Sequence, residues 1–264
     1  MLSEVTPQRP SAVILMRGTL LALGILLVAW LPSMAFAAAT VGDLVAQADR
    51  LVEADESVQS LQRAIELYQE ALGQEPNRAD LHVKVAYAAL WVGDGTTGGD
   101  ALRWFQLGEQ EAERALALNE ANADAHFLLA ANRGQVANRK LASPSIVADL
   151  EQHLLRAVQL NPRHAFALHM MAILLRDTPF FLRGYLKGSR NDVERYLVAA
   201  IEADPNLARA RLDLAEYYRS AGQIAKARAQ AQAVIEMTNP TQKRRWRETD
   251  RPAAEALLKK LPAS

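Results

Sequence analysis

Five histidines, His82, His126, His153, His164 and His169, are the residues of this sequence best suited to chemistry. A zinc-hydrolase helix needs two of them four residues apart, so that both rings leave one face. No such pair occurs. His164 and His169 are five apart and diverge by about 140° on a helix. His82 and His126 each stand four residues before a recurring alanine, which implies a shared structural role. The chain has no cysteine. That removes thiolate nucleophiles, thiolate metal ligands, disulfides and a lipid anchor on cysteine. The run Gly93-Asp94-Gly95-Thr96-Thr97-Gly98-Gly99 is glycine-rich, but it lacks the lysine of a phosphate-binding loop. No G-x-S-x-G elbow is present. The chain therefore reads as a binding protein and not an enzyme, with no cofactor and no metal.

The elements that position these side chains come from composition and periodicity. The 264 residues are half hydrophobic, only 6% aromatic, and balanced at 30 basic and 30 acidic side chains. Strong helix formers dominate. A neutral chain lacks the basic footprint of a nucleic-acid binder. At the N-terminus, Arg9 and Arg17 precede an apolar run from Leu20 to Leu31, then Pro32 and Ala35-Phe36-Ala37. This is the order of a secretory signal peptide, with cleavage expected after Ala37 and Ala39 as the alternative. The stretch Gly18 to Leu31 is shorter than the roughly 20 residues that span a bilayer. An uncleaved inner-membrane anchor is the alternative. Export without cysteine points to a bacterial periplasm. The expected division is 1–37, signal peptide, and 38–264, helical domain.

A repeat organises the second part. Pro76, Glu120, Pro162, Pro205 and Pro240 follow apolar helical runs at intervals of 44, 42, 43 and 35 residues. Five residues before each of the first four marks stands Ala71, Ala115, Ala157 or Ala200. Ten residues after them stands Ala86, Ala130, Ala172 or Ala215. Small residues let two helix axes approach. A helix hairpin cannot bury its apolar face alone, so successive hairpins must stack. Helices are expected near 41–54, 58–74, 78–92, 100–118, 123–138, 146–160, 163–176, 190–203, 206–221, 223–237 and 250–260. Leu257, Leu258 and Leu261 would cap the open end. The run Lys243, Arg244, Arg245 and Arg247 is expected to be a solvated face of that cap.

The segment Ala64-Ile65-Glu66-Leu67-Tyr68-Gln69-Glu70-Ala71-Leu72, closing at Pro76, resembles the second helix of a tetratricopeptide repeat. Leu212-Asp213-Leu214-Ala215-Glu216-Tyr217-Tyr218, then Gly222, resembles the first helix and turn of another. The resemblance covers about residues 57–240. Glu120 in place of proline, and Gly108 and Leu150 in place of a small alanine, depart from the pattern and suggest degenerate middle repeats. The resemblance implies an all-α, TPR-like α-solenoid of antiparallel helix pairs. It also implies a groove lined by the first helix of each pair. In the alanine register this selects Tyr87, Phe127, His169, Ile173, Arg176, Arg209, Glu216 and Arg219. Such a surface could hold an extended peptide with its terminal carboxylate near Arg209 or Arg219. Alternatively, these arginines pair with neighbouring carboxylates.

Three units are longer than the family's 34 residues. Their extra residues fall between first and second helix: Gly93 to Gly99, about Arg139 to Ser145, and Asp177 to Ser189. The three inserted loops are expected to gather on one surface. The third contains Phe180, Phe181, Leu182 and Tyr185, so it either plugs the helices or lines a hydrophobic ligand or partner site. Gly98-Gly99-Asp100-Ala101 and Pro179 to Gly184 also resemble, more weakly, inserts of the periplasmic T-component of TRAP transporters. That likeness implies a solute-binding protein or a small hydrophobic ligand as partner. The leading reading is an exported scaffold for a protein or peptide partner, with no nucleic acid.

Overall fold

Short-range hydrogen bonds set where each helix stops. The carbonyls of Ala71, Ala115, Ala157 and Ala200 accept the N–H of Glu75, Asn119, Asn161 and Asp204 at 2.8–2.9 Å. In three of these turns an Asn or Asp side chain then caps the backbone two residues on. Asn119 accepts from Ala121, Asn161 from Arg163, and Asp204 from Asn206. These are Asx-turns. They explain why Glu120 can replace proline: the side chain before it makes the turn. Helix starts are equally local. Ser57 Oγ accepts from Ser60 N, and Ser143 caps the helix that opens with Pro144.

The computed structural model of the chain describes residues 39–54, 56–139 and 143–262. The expected signal peptide, 1–37, lies outside the described residues. Ten helices alternate along the array: α1 Val41–Ala54, α2 Val58–Gln74, α3 Ala79–Asp94, α4 Gly98–Leu118, α5 Ala123–Arg139, α6 Pro144–Leu160, α7 Ala165–Asp177, α8 Val193–Ala203, α9 Ala208–Ser220 and α10 Ile224–Ile235. One helical turn, α11 (Lys243–Arg245), a π-helical turn (Trp246–Asp250) and α12 (Arg251–Lys260) follow. Among the described residues there is no strand. No helix there is long and apolar enough to cross a membrane.

Each helix packs on its chain neighbour, and α3, α5 and α7 also touch one another. The recurring alanines sit at these approaches. Ala71, Ala115, Ala157, Ala200, Ala86, Ala130, Ala172 and Ala215 are all buried. Leu257 and Leu261 of the capping segment are buried where α12 packs on α9 and α10. The two departures from the small-residue pattern have local causes. A Cβ on Gly108 would overlap the carboxamide of Asn132, which is wholly buried and donates to Leu128 O at 2.9 Å. Leu150 instead lies over Gly134 of the facing helix.

The first insert is mostly helix. Only Gly95–Thr97 lies between α3 and α4, and Gly98 opens α4 with a left-handed φ of 66°. The third insert is a 3₁₀ turn, Phe180–Tyr185, then a second at Arg190–Asp192. It folds back over α6. Glu151, buried, accepts the N–H of Lys187 and of Gly188, each at 2.7 Å. The middle of the second insert, 140–142, lies outside the described residues.

Candidate functional site: a groove across the first helices

The sites of the repeat histidines are structural anchors. His82 Nε2 bonds Pro76 O at 3.0 Å and His126 Nε2 bonds Glu120 O at 2.9 Å. Both reach the carbonyl six residues back, and Arg211 Nε does the same to Pro205 O in the fourth turn. On their other sides His82 Nδ1 meets Glu111 at 2.5 Å, and His126 Nδ1 meets His153 Nδ1 at 2.9 Å. Among the described residues, no three His, Cys, Asp or Glu side chains converge as metal ligands would.

The first helices of successive hairpins carry an aromatic run. Tyr87 meets Trp91 edge-on at 5.9 Å. Trp91 meets Phe166 at 6.2 Å, and Phe166 stacks on Phe127 at 5.7 Å. Tyr87, Trp91 and Phe166 are part-buried, so the run offers apolar faces at the surface. On its α1–α2 side lies a cavity of about 320 Å³ lined by Tyr87, Phe127, Asp49, Glu53 and Lys84. On its α7–α9 side lies one of about 250 Å³, lined by Trp91, Phe127, His169, Ile173, Arg176 and Arg209. Glu216 and Arg219 border a third, further along, and pair with each other at 2.7 Å. Phe180, Phe181 and Tyr185 border none of these; they are exposed on the third insert. Leu182 of the same insert is buried over a cavity of about 210 Å³ between α5, α6 and α7.

Two arginines of the groove, Arg176 and Arg209, converge with His169 on one carboxylate. Asp213 takes His169 Nε2 at 2.8 Å, Arg176 at 2.9 Å and Arg209 at 3.0 Å. Burial pushes its carboxyl up, but the His169 hydrogen bond and the surrounding cations hold it below the usual carboxylate range. Asp250 is 1% exposed and stands 3.5 Å from Arg209 and 3.7 Å from Arg245. Here burial prevails and the carboxyl is raised despite both guanidiniums. Burial, aided by the charge of Glu56, also pushes the Tyr87 phenol up to about 12.

The basic run after α10 is not a solvated face. Successive side chains of a helical turn point about 100° apart, so the run is split between directions. Lys243 and Arg247 are exposed. Arg244 and Arg245 instead turn onto the first hairpins. Arg244 N donates to Glu56 Oε2 at 3.1 Å, and its Nη2 donates to Trp91 O at 3.2 Å. Arg245 Nη1 reaches both oxygens of Asp94 at 3.0 Å. Gln242 is buried and lines the same cavity as Trp91. Glu56 holds its position with a left-handed φ of 53°, a costly conformation for a non-glycine residue. Burial raises its carboxyl, against the pull of the Arg244 backbone and charge.

Sequence reasoning selected Tyr87, Phe127, His169, Ile173, Arg176 and Arg209, and the structure brings these six to adjoining cavities. It missed Trp91, Phe166, Glu56, Asp94, Asp213, Asp250 and the inward arginines. Trp91 had a signal, standing one turn after Tyr87 on the same helix face. Asp213 had one too: a lone carboxylate between Leu212 and Leu214 of a buried alanine-bearing turn.

A family profile described as Regulator of microtubule dynamics protein 1-3 matches residues 44–174. A comparison with curated proteins returns no match. Among solved structures, the chain is similar to TTC0263, a thermophilic TPR protein of Thermus thermophilus. The two are 18% identical, with 83% of this chain and 100% of that one aligned at a TM-score of 0.60. It is also similar to PilF of Pseudomonas aeruginosa, at 15% identity, 82% and 88% coverage and a TM-score of 0.51. The chain has the tetratricopeptide-repeat fold. The TPR-type hairpins among the described residues therefore place α3, α5, α7 and α9 as first helices and the aromatic run as a surface that α3, α5 and α7 share.

Proposed function

We propose that this protein is an exported, periplasmic TPR scaffold that holds a protein or peptide partner along the groove of its first helices, and that it is not an enzyme. The observation that carries the reading is the run Tyr87–Trp91–Phe166–Phe127, flanked by cavities and by paired charges. Aromatic and arginine side chains in such a setting are the usual anchors of an interface. The order of basic start, apolar run and Ala35-Phe36-Ala37 supports export with removal of 1–37. N-terminal sequencing of the periplasmic protein tests that part, with Ala38 as the expected first residue.

The partner is tested by capture from periplasmic extract, comparing the wild type with a Tyr87→Ala/Phe166→Ala variant. A partner retained at least tenfold better by the wild type is expected. Equal retention by a variant of unchanged helicity would refute the groove as the site. A second reading has its own observation. The cavity beneath Leu182 is lined by Ile146, Leu150, Leu154, Met170 and Ile173, and it suits a small hydrophobic ligand. Recovery of a solute-binding protein, or of a co-purified apolar molecule, would favour a T-component-like transport accessory.

A further inference from the structure

Residues 241–250 do not extend the array. They leave the last hairpin and lie against the first two, through bonds that span 188 residues from Arg244 to Glu56 and 151 from Arg245 to Asp94. Thr241 N ties the start of the segment to Asn206 O at 3.1 Å, Trp246 Nε1 ties its middle to Val234 O at 2.7 Å, and Asp250 at its end stands 3.5 Å from Arg209. Between these ties, Gln242, Arg244 and Arg245 line a cleft with Tyr87 and Trp91. The segment is one α-turn and a π-turn that run on without a break into α12, and tertiary bonds fix where this leading part of the helix lies. Its charge matches the surface beneath. Glu56 and Asp94 meet Arg244 and Arg245, while Asp49 and Glu53 border the neighbouring cavity with Lys84 as counter-charge.

We infer that the groove recognises an extended or single-turn segment of a partner protein that presents adjacent arginines, and that residues 241–250 fill the place of that ligand in cis. The chain thus carries its own competitor. Glu56, Asp94 and the Trp91 carbonyl receive the arginines, beside the Tyr87–Trp91 faces. A tethered segment competes at an effective concentration of about 1 mM, so a partner must displace it. The inference rests on the groove being the partner site.

The probe is a labelled synthetic peptide of residues 239–251, titrated into the purified chain by fluorescence anisotropy. The wild type should bind it weakly. Arg244→Ala/Arg245→Ala in the chain should tighten binding at least tenfold. Adding Asp94→Asn to that variant should weaken it again at least fivefold, and a peptide lacking both arginines should not bind. Equal binding by wild type and double variant overturns the inference. Should the double variant lose its fold, hydrogen exchange on the wild type decides. Residues 243–250 should open separately from α9 and α10; opening only together with them marks the segment as a fixed strut and overturns the inference. A partner that is captured through Tyr87 and Phe166, but is indifferent to Arg244, Arg245 and the peptide, leaves the scaffold reading standing and removes this one. Loss of capture-dependence on Tyr87 and Phe166 removes both.

Discussion

Asn132 is an amide with no exposure in the packing between α3, α4 and α5, and Gly108 leaves the room it fills. Gly108→Ala should therefore destabilise the chain by about 1–3 kcal/mol, because a methyl group forces Asn132 from its bond to Leu128. Urea unfolding measures this; an unchanged midpoint would show that the site can relax. The His126–His153 pair makes a pH prediction. Burial holds both imidazoles below their ordinary 6.5, and each ring's neighbouring charges add to or oppose it. Below pH 6.5 the unfolded chain then binds more protons than the folded one. Stability from this pair is complete above 6.5 and falls as pH drops through the lowered folded values. The fall in Tm between pH 7.5 and 5.5 should shrink in His153→Gln; an identical fall in both proteins excludes the pair as its cause. At this scale the sequence was readable where one residue type recurs. The repeated alanines and the paired histidines announced their packing. Gly108 did not, because its reason is a side chain on another helix.

Helix limits were legible because their stops are local. The turn residues Asn119, Asn161 and Asp204 cap the backbone beside them, and the expected helices match α1 to α10 within a few residues. The third insert was less legible. Its aromatic content allows either a plug or a partner surface, and the structure divides the residues: Leu182 is buried, while Phe180 and Phe181 are exposed. Adjacent side chains of a 3₁₀ turn point about 120° apart, so Leu182 faces in while Phe180 and Phe181 face out. Glu151 holds the end of this insert through two backbone N–H groups. Glu151→Gln replaces one accepting oxygen with a donor, at a local cost of about 1–3 kcal/mol. Limited proteolysis should then cut between 183 and 188 faster, with helicity unchanged. A cleavage rate equal to wild type would show that Leu182 packing alone secures the insert.

The stack as a whole follows from hairpins that cannot bury their faces singly. Its long-range closure does not. No periodicity links Glu56 to Arg244, and a run of four basic residues reads as solvent-facing until the turn that splits them is seen. The groove of the first helices, with the C-terminal segment laid in it, is the centre of the account. Hydrogen exchange of the chain, free and saturated with its captured partner, tests this most directly. The account predicts added protection in 79–94 and 165–177 with loss of protection in 243–250. Protection confined to α4, α6 and α8, with 243–250 unchanged, would contradict it.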